Sequence, residues 1–121
     1  MKDIAIISII VLIIDYVYLS NIAAKPFMNM VEKIQKEKSI VKYPSAAFTY
    51  TLLILAIYKF TPNLNYLDTF ILGFIIYGVF DFTNMALFNK YDLKIAIQDT
   101  VWGGVLFVLT KFVYNNITKL Q

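Results

Sequence analysis

The chain has 121 residues, 60% hydrophobic, 17% aromatic and only 16% charged, against roughly 45–50% apolar and about 25% charged in a soluble domain. This length points to one domain, residues 1–121, with no room for a soluble domain beside the hydrophobic segments. The net charge of +3, all its basic residues Lys, is too small and scattered for a nucleic-acid footprint, and the absence of Cys and His excludes disulfides, thiolate or imidazole metal sites and Cys/His nucleophilic catalysis.

Segment one runs from Ile4 to Ala24, nearly continuous Ile, Val and Leu interrupted by Asp15. A helix needs about 20 such residues to cross the hydrocarbon. A cleaved signal peptide is the alternative, but its apolar core is roughly 7–15 residues and does not normally carry an Asp. Between Lys25 and Lys42 the character changes. Pro26 suits a helix start. Phe27, Met30, Val31 and Ile34 then recur at helical spacing opposite Lys33, Lys36 and Glu37. The pattern predicts a short amphipathic helix lying in the membrane interface, with a plain polar loop as the alternative.

Segment two runs from Tyr43 to Phe60, with Pro44 in its first turn and Thr61-Pro62-Asn63 ending it. It is short for a span, yet sufficient at about 1.5 Å per residue. Segment three runs from Tyr66 to Phe88 and segment four from Leu93 to Tyr114. The link Asn89-Lys90-Tyr91-Asp92 is so short that these two form an antiparallel hairpin. The expected fold is an all-α membrane protein, a bundle of four transmembrane helices with the amphipathic helix between the first two. With that topology the termini and second loop carry Lys2, Lys59, Lys111 and Lys119. The first and third loops carry Lys25, Lys33, Lys36, Lys38, Lys42, Lys90 and Lys94. The positive-inside rule puts the first and third loops in the cytoplasm and both termini on the opposite side.

Asp15, Asp81 and Asp99 stand inside hydrophobic segments, where each costs about 2.5–3.5 kcal/mol on the insertion scale. Segment one can bear this, because its aliphatic residues each return roughly 0.3–0.6 kcal/mol. Segment four also holds Gln98, Thr100, Gly103, Gly104, Thr110 and Lys111, so it is expected to insert with its polar face against protein. Counted from the nearest loop at about 1.5 Å per residue, the carboxylates all fall roughly 9–13 Å below one surface. Tyr77, Asp81 and Asn84 share a face with Gly73 on segment three, flanked by Gly78. Asp99, Trp102 and Gly103 share one on segment four, beside Gly104. Tyr18 and Tyr50 reach the same layer from segments one and two. The glycines let helices approach closely.

The layer is therefore the candidate binding pocket: Asp15, Tyr18, Tyr50, Tyr77, Asp81, Asn84, Asp99 and Trp102. Buried carboxylates near one another cannot all stay ionised unaided. The cluster is expected to hold protons, bind a cation or cationic ligand, or be neutralised by donors such as Asn84, Tyr18 and Trp102. Lys94 lies near the surface, and Lys111 lies toward the opposite face and can snorkel. The competing reading is that these side chains only hydrogen-bond helix to helix, at about 0.6 kcal/mol each. Asn116-Ile117-Thr118 fits a glycosylation sequon at the C-terminus and reads as incidental.

The stretches Asp15-Tyr16-Val17-Tyr18-Leu19, Tyr77-Gly78-Val79-Phe80-Asp81-Phe82-Thr83-Asn84-Met85-Ala86 and Asp99-Thr100-Val101-Trp102-Gly103 resemble the small predicted membrane proteins of domain-of-unknown-function family 2177. The likeness covers nearly the whole chain in order and spacing. The chain departs from it at Phe80, where the family often has Tyr, and at Tyr18, where it often has Trp. The resemblance implies a four-helix membrane protein of bacterial type, with relatives carried by some large viruses. It carries no established activity and so no catalytic roles.

Three functions compete. The first is binding or transport of a proton, cation or small cationic solute at the acidic pocket. The second is a membrane-embedded enzyme acting on a lipid or isoprenoid, using carboxylates as acid and base. The third is a structural or accessory protein of a larger membrane complex or viral membrane. The binding or transport class is preferred, with the lipid bilayer as partner, homo-oligomerisation open, no cofactor or metal identifiable and no nucleic acid.

Overall fold

The computed structural model describes residues 2–120, and among them every regular element is helical. Helix α1 spans Lys2–Tyr18, a π-helical segment spans Leu19–Ala23, and α2 spans Ala24–Gln35. Helix α3 spans Tyr43–Phe60 and ends in a 3₁₀ turn, Thr61–Asn63. Helices α4, Tyr66–Leu87, and α5, Leu93–Lys119, form the hairpin. Three helices are long and apolar enough to cross a membrane: the continuous helix Lys2–Gln35, α4 and α5. Helix α3, with 18 residues, carries Ser45 and Lys59 and falls short of their apolarity.

The boundaries of α3 and the start of α4 fall where the sequence places them. Helix α5 runs five residues past Tyr114, to Lys119. The clearest difference lies at Pro26, which starts no new helix. Instead α1 runs into α2 as one helix of 34 residues. Proline cannot donate to the carbonyl four residues back and crowds it. The chain accommodates this just upstream by widening into π turns, with the Ala24 N–H bonded to the Leu19 carbonyl. The helix ends at Lys36, whose left-handed backbone (φ 60°) closes a bond to the Glu32 carbonyl.

The helices pack in the order α3, α1, α5, α4, and the α4–α5 contact is by far the most extensive. The outer members of that series, α3 and α4, share no comparable interface, so the seam between them is the loose side. The α4–α5 hairpin rests on caps and small residues. Asn65 accepts the Asp68 N–H at 2.7 Å and Asp92 accepts the Lys94 N–H at 2.8 Å, satisfying the first turns of α4 and α5. One apolar core joins Ile7 and Val11 of α1, Leu53 and Ile57 of α3, and Leu106 and Phe107 of α5. A second, smaller core forms where Met30 of α2 meets Tyr91 and Ala96, with Phe27 and Ile34 alongside. The apolar stripe of α2 thus packs on the end of the hairpin, and the Asp92 N–H points at the Met30 sulfur, 3.1 Å away.

Candidate functional site

Above the apolar core lies the polar layer. Asp15, only 5% exposed, faces inward because the opposite side of α1, Ile13 and Tyr16, is the outer surface. Its Oδ1 accepts the Trp102 indole N–H at 2.9 Å. Its Oδ2 accepts the Tyr50 hydroxyl. One carboxylate thereby ties α1, α3 and α5 together. The Tyr18 ring lies flat on Trp102, with centroids 3.8 Å apart and planes 6° from parallel. The Tyr18 oxygen accepts the Gln98 amide at 3.1 Å. This stack holds the indole in the plane that Asp15 needs.

The second half of the layer belongs to the hairpin. Asp81 is completely buried. Its Oδ1 accepts the Tyr91 hydroxyl at 2.8 Å. Its Oδ2 is buried with no hydrogen-bond partner, and Asp99 stands near Asp81 across the α4–α5 contact. Two carboxyl groups pair with one another only through a proton or a cation. Asn84 lies against the Tyr91 hydroxyl. Burial, followed by the hydrogen bond to Asp81, pushes that hydroxyl well above the usual tyrosine range.

Between the two halves opens a cleft of about 610 Å³, within the size range of small-molecule sites. Asp15, Tyr18, Tyr50, Tyr77, Gln98 and Asp99 line its polar side, while Leu53, Ile76, Phe80 and residues of α2 line the rest. The glycines let α4 and α5, which carry part of its wall, approach closely. A Cβ on Gly103 would come 2.5 Å from the Gly73 carbonyl oxygen, and one on Gly104 would come 2.6 Å from the Phe70 ring. Gly78 is looser, 3.2 Å from a Thr100 methyl. A separate cavity of about 190 Å³ lies at the other end of the bundle. There Lys111 donates to the Thr61 carbonyl at 2.7 Å.

The structure brings the sequence-predicted residues together, in two networks. Asp15, Tyr18, Tyr50 and Trp102 make one; Asp81 and its partner Tyr91 make the other, with Asn84 and Asp99 near them; Tyr77 stands in the cleft wall. Of the donors expected to neutralise the layer, Trp102 does so directly. Tyr18 instead stacks on it, and Asn84 turns to Tyr91. Sequence reasoning missed Tyr91 and the Gln98–Tyr18 bond. The signal for Tyr91 was its place in the very short link that follows the helix carrying Asp81.

Residues 1–114 match the family model described as predicted membrane protein (DUF2177), the family that the Asp15, Asp81 and Asp99 stretches resemble. No curated protein and no solved structure matches the chain.

Proposed function

The chain belongs to the DUF2177 family of predicted membrane proteins, and from that premise we propose that its acidic cleft is a cation-binding site within the bilayer. The observation that carries this reading is the Asp81–Asp99 pair. Asp99 lines the cleft, and behind it Asp81 holds a buried oxygen that no protein donor reaches. Asp15 differs, because an indole and a phenol already occupy both of its oxygens. Asp15 holds the helices in register, and Asp99 meets the ligand. A bound cation supplies the counter-charge for these carboxylates that no protein donor gives the Asp81 oxygen.

The topology that goes with this reading has four spans, with α3 as the fourth. Its burial of Leu53 and Ile57 against α1 and α5 supports that placement. At about 1.5 Å per residue the first helix is about 51 Å long, well beyond a hydrocarbon core of about 30 Å. Its amphipathic end, α2, therefore leaves the hydrocarbon and lies in the headgroup region on the cytoplasmic side, where lysines 25 to 42 gather.

The test uses Trp102, the single tryptophan, as a built-in reporter, since it touches two cleft-lining side chains. The protein in lipid nanodiscs is titrated with sodium, potassium, tetramethylammonium and tetraphenylphosphonium. Saturable change in Trp102 emission with at least one of them, lost in Asp99→Asn while the variant stays folded, supports the site. Equal responses from wild type and Asp99→Asn would end it.

A further inference from the structure

We infer that the cleft selects a hydrophobic cation, one charge carried on apolar groups, that enters sideways from the bilayer along the α3–α4 seam. The inference rests on the cation-binding reading above and narrows its ligand class.

Three observations converge. First, the seam is the loose side of the bundle: α3 packs on α1 and α4 on α5, and the cleft is walled by Ala46 and Tyr50 from one helix and Ile76 and Phe80 from the other. Second, its rim faces outward. Phe80 of α4 lines the cleft while remaining 51% exposed, and Ala46 and Tyr50 of α3 line it and are partly exposed. Residues with that chemistry on the outer surface of a membrane helix meet lipid chains, so the mouth is apolar. Third, the charge sits deep. Asp99 lies on the cleft wall with the unpaired oxygen of the fully buried Asp81 behind it.

A hydrated metal ion would have to shed its water at such a mouth before any carboxylate compensated it, and that is costly. A cation whose charge is wrapped in apolar groups partitions to the mouth by itself, buries those groups on Leu53, Ile76 and Phe80, and meets its counter-charge at Asp99. The surrounding phenols of Tyr18, Tyr50 and Tyr77 add ring faces that attract such a cation. A cleft of about 610 Å³ is also far larger than a bare metal ion needs.

The experiment compares tetraphenylphosphonium with tetramethylammonium and sodium on the protein in nanodiscs, reading Trp102 emission. Tetraphenylphosphonium carries no proton of its own and is soluble in the bilayer. The expected result is saturable binding of tetraphenylphosphonium that weakens about tenfold or more in Asp99→Asn, with little response to the two hydrophilic ions. Ala46→Phe, which narrows the seam without touching a carboxylate, is expected to slow association. If that variant does not fold, Phe80→Ala widens the same mouth and is expected to speed it. Asp99-dependent binding of sodium or tetramethylammonium with none of tetraphenylphosphonium would overturn the ligand class and leave the cation site standing. No Asp99-dependent response to any of the three would overturn both. Tight tetraphenylphosphonium binding with unchanged rates in the mouth variants would overturn lateral entry.

Discussion

Gly73 and Gly103 put the backbones of α4 and α5 in direct contact, each occupying the space that a Cβ on the other would need. That contact lies one turn below Tyr77 and one residue after Trp102, so the closest approach of the hairpin also positions the polar layer. Gly73→Ala and Gly103→Ala are each expected to destabilise the protein by about 1–3 kcal/mol, since backbone cannot move aside as a side chain can. Gly78→Ala meets only a Thr100 methyl at 3.2 Å. Its gain in helix propensity, about 1 kcal/mol, offsets the crowding. Thermal unfolding in one detergent ranks the three; equal melting temperatures would contradict the contact.

Asp15 is the register pin of the bundle. Asp15→Leu leaves the Trp102 indole N–H and the Tyr50 hydroxyl without their acceptor, an expected loss of about 1–3 kcal/mol. Asp15→Asn keeps one acceptor oxygen and is expected to lose less. Trp102 emission should shift to the blue in Asp15→Leu as the indole loses its hydrogen bond. Unchanged emission would mean that the bond is absent in the bilayer.

The Asp81–Asp99 pair predicts an asymmetry between amide and aliphatic replacements. In Asp81→Asn the amide N–H takes the place of a shared proton toward Asp99 while the amide oxygen still accepts from Tyr91. Stability is expected within about 1 kcal/mol of wild type. Asp81→Leu strands the buried Tyr91 hydroxyl and is expected to cost about 1–3 kcal/mol. The carbonyl stretch of a protonated carboxyl, read by infrared difference spectroscopy in heavy water, should vanish in either single Asn variant. Its persistence in both would show that the proton is not between these two groups.

Much of this was legible in the chain. Three carboxylates at one depth, with Tyr18, Tyr50 and Trp102 beside them, mark the layer because charge in hydrocarbon is tolerated only against partners. The α4–α5 hairpin followed from the short link and the glycines. Which donor meets which carboxylate was not legible, because it depends on helix rotation, and a π segment shifts that rotation. The π turns before Pro26 re-aim everything downstream in the first helix, so Met30 docks on Tyr91 and the apolar stripe of α2 meets protein. Tyr91 escaped for a similar reason: a loop residue has no periodicity to betray that it folds back over Asp81.

Tyr91 carries the alkaline behaviour. Burial and its bond to Asp81 hold its hydroxyl above the ordinary value of 10.0. The unfolded chain ionises this tyrosine near that value and the folded chain does so later. Its contribution to stability is therefore fully present below pH of about 10 and is lost as pH rises toward the folded-state value. Tyr91→Phe is expected to lower stability at neutral pH, by about 1 kcal/mol, and to flatten the alkaline fall. Stability measured from neutral pH to pH of about 11 separates the two curves; parallel curves would show an ordinary, solvent-exposed hydroxyl.

The sidedness prediction can be read without background, because the chain has no Cys. Single cysteines at Lys38 and Lys90 sample the first and third loops, and Asn63 and Lys119 sample the second loop and the last residues of α5. If α3 spans, the two pairs lie on opposite faces. The lysine imbalance predicts that Lys38→Cys and Lys90→Cys face the cytoplasm. An impermeant maleimide added to intact cells should then label Asn63→Cys and Lys119→Cys and spare the other two until the membrane is opened. The discriminating result is Asn63 against Lys38, which flank α3 on either side. Labelling of both, or of neither, would mean that α3 does not cross. The cleft would then open between a half-inserted helix and α4, and lateral entry would lose its bilayer.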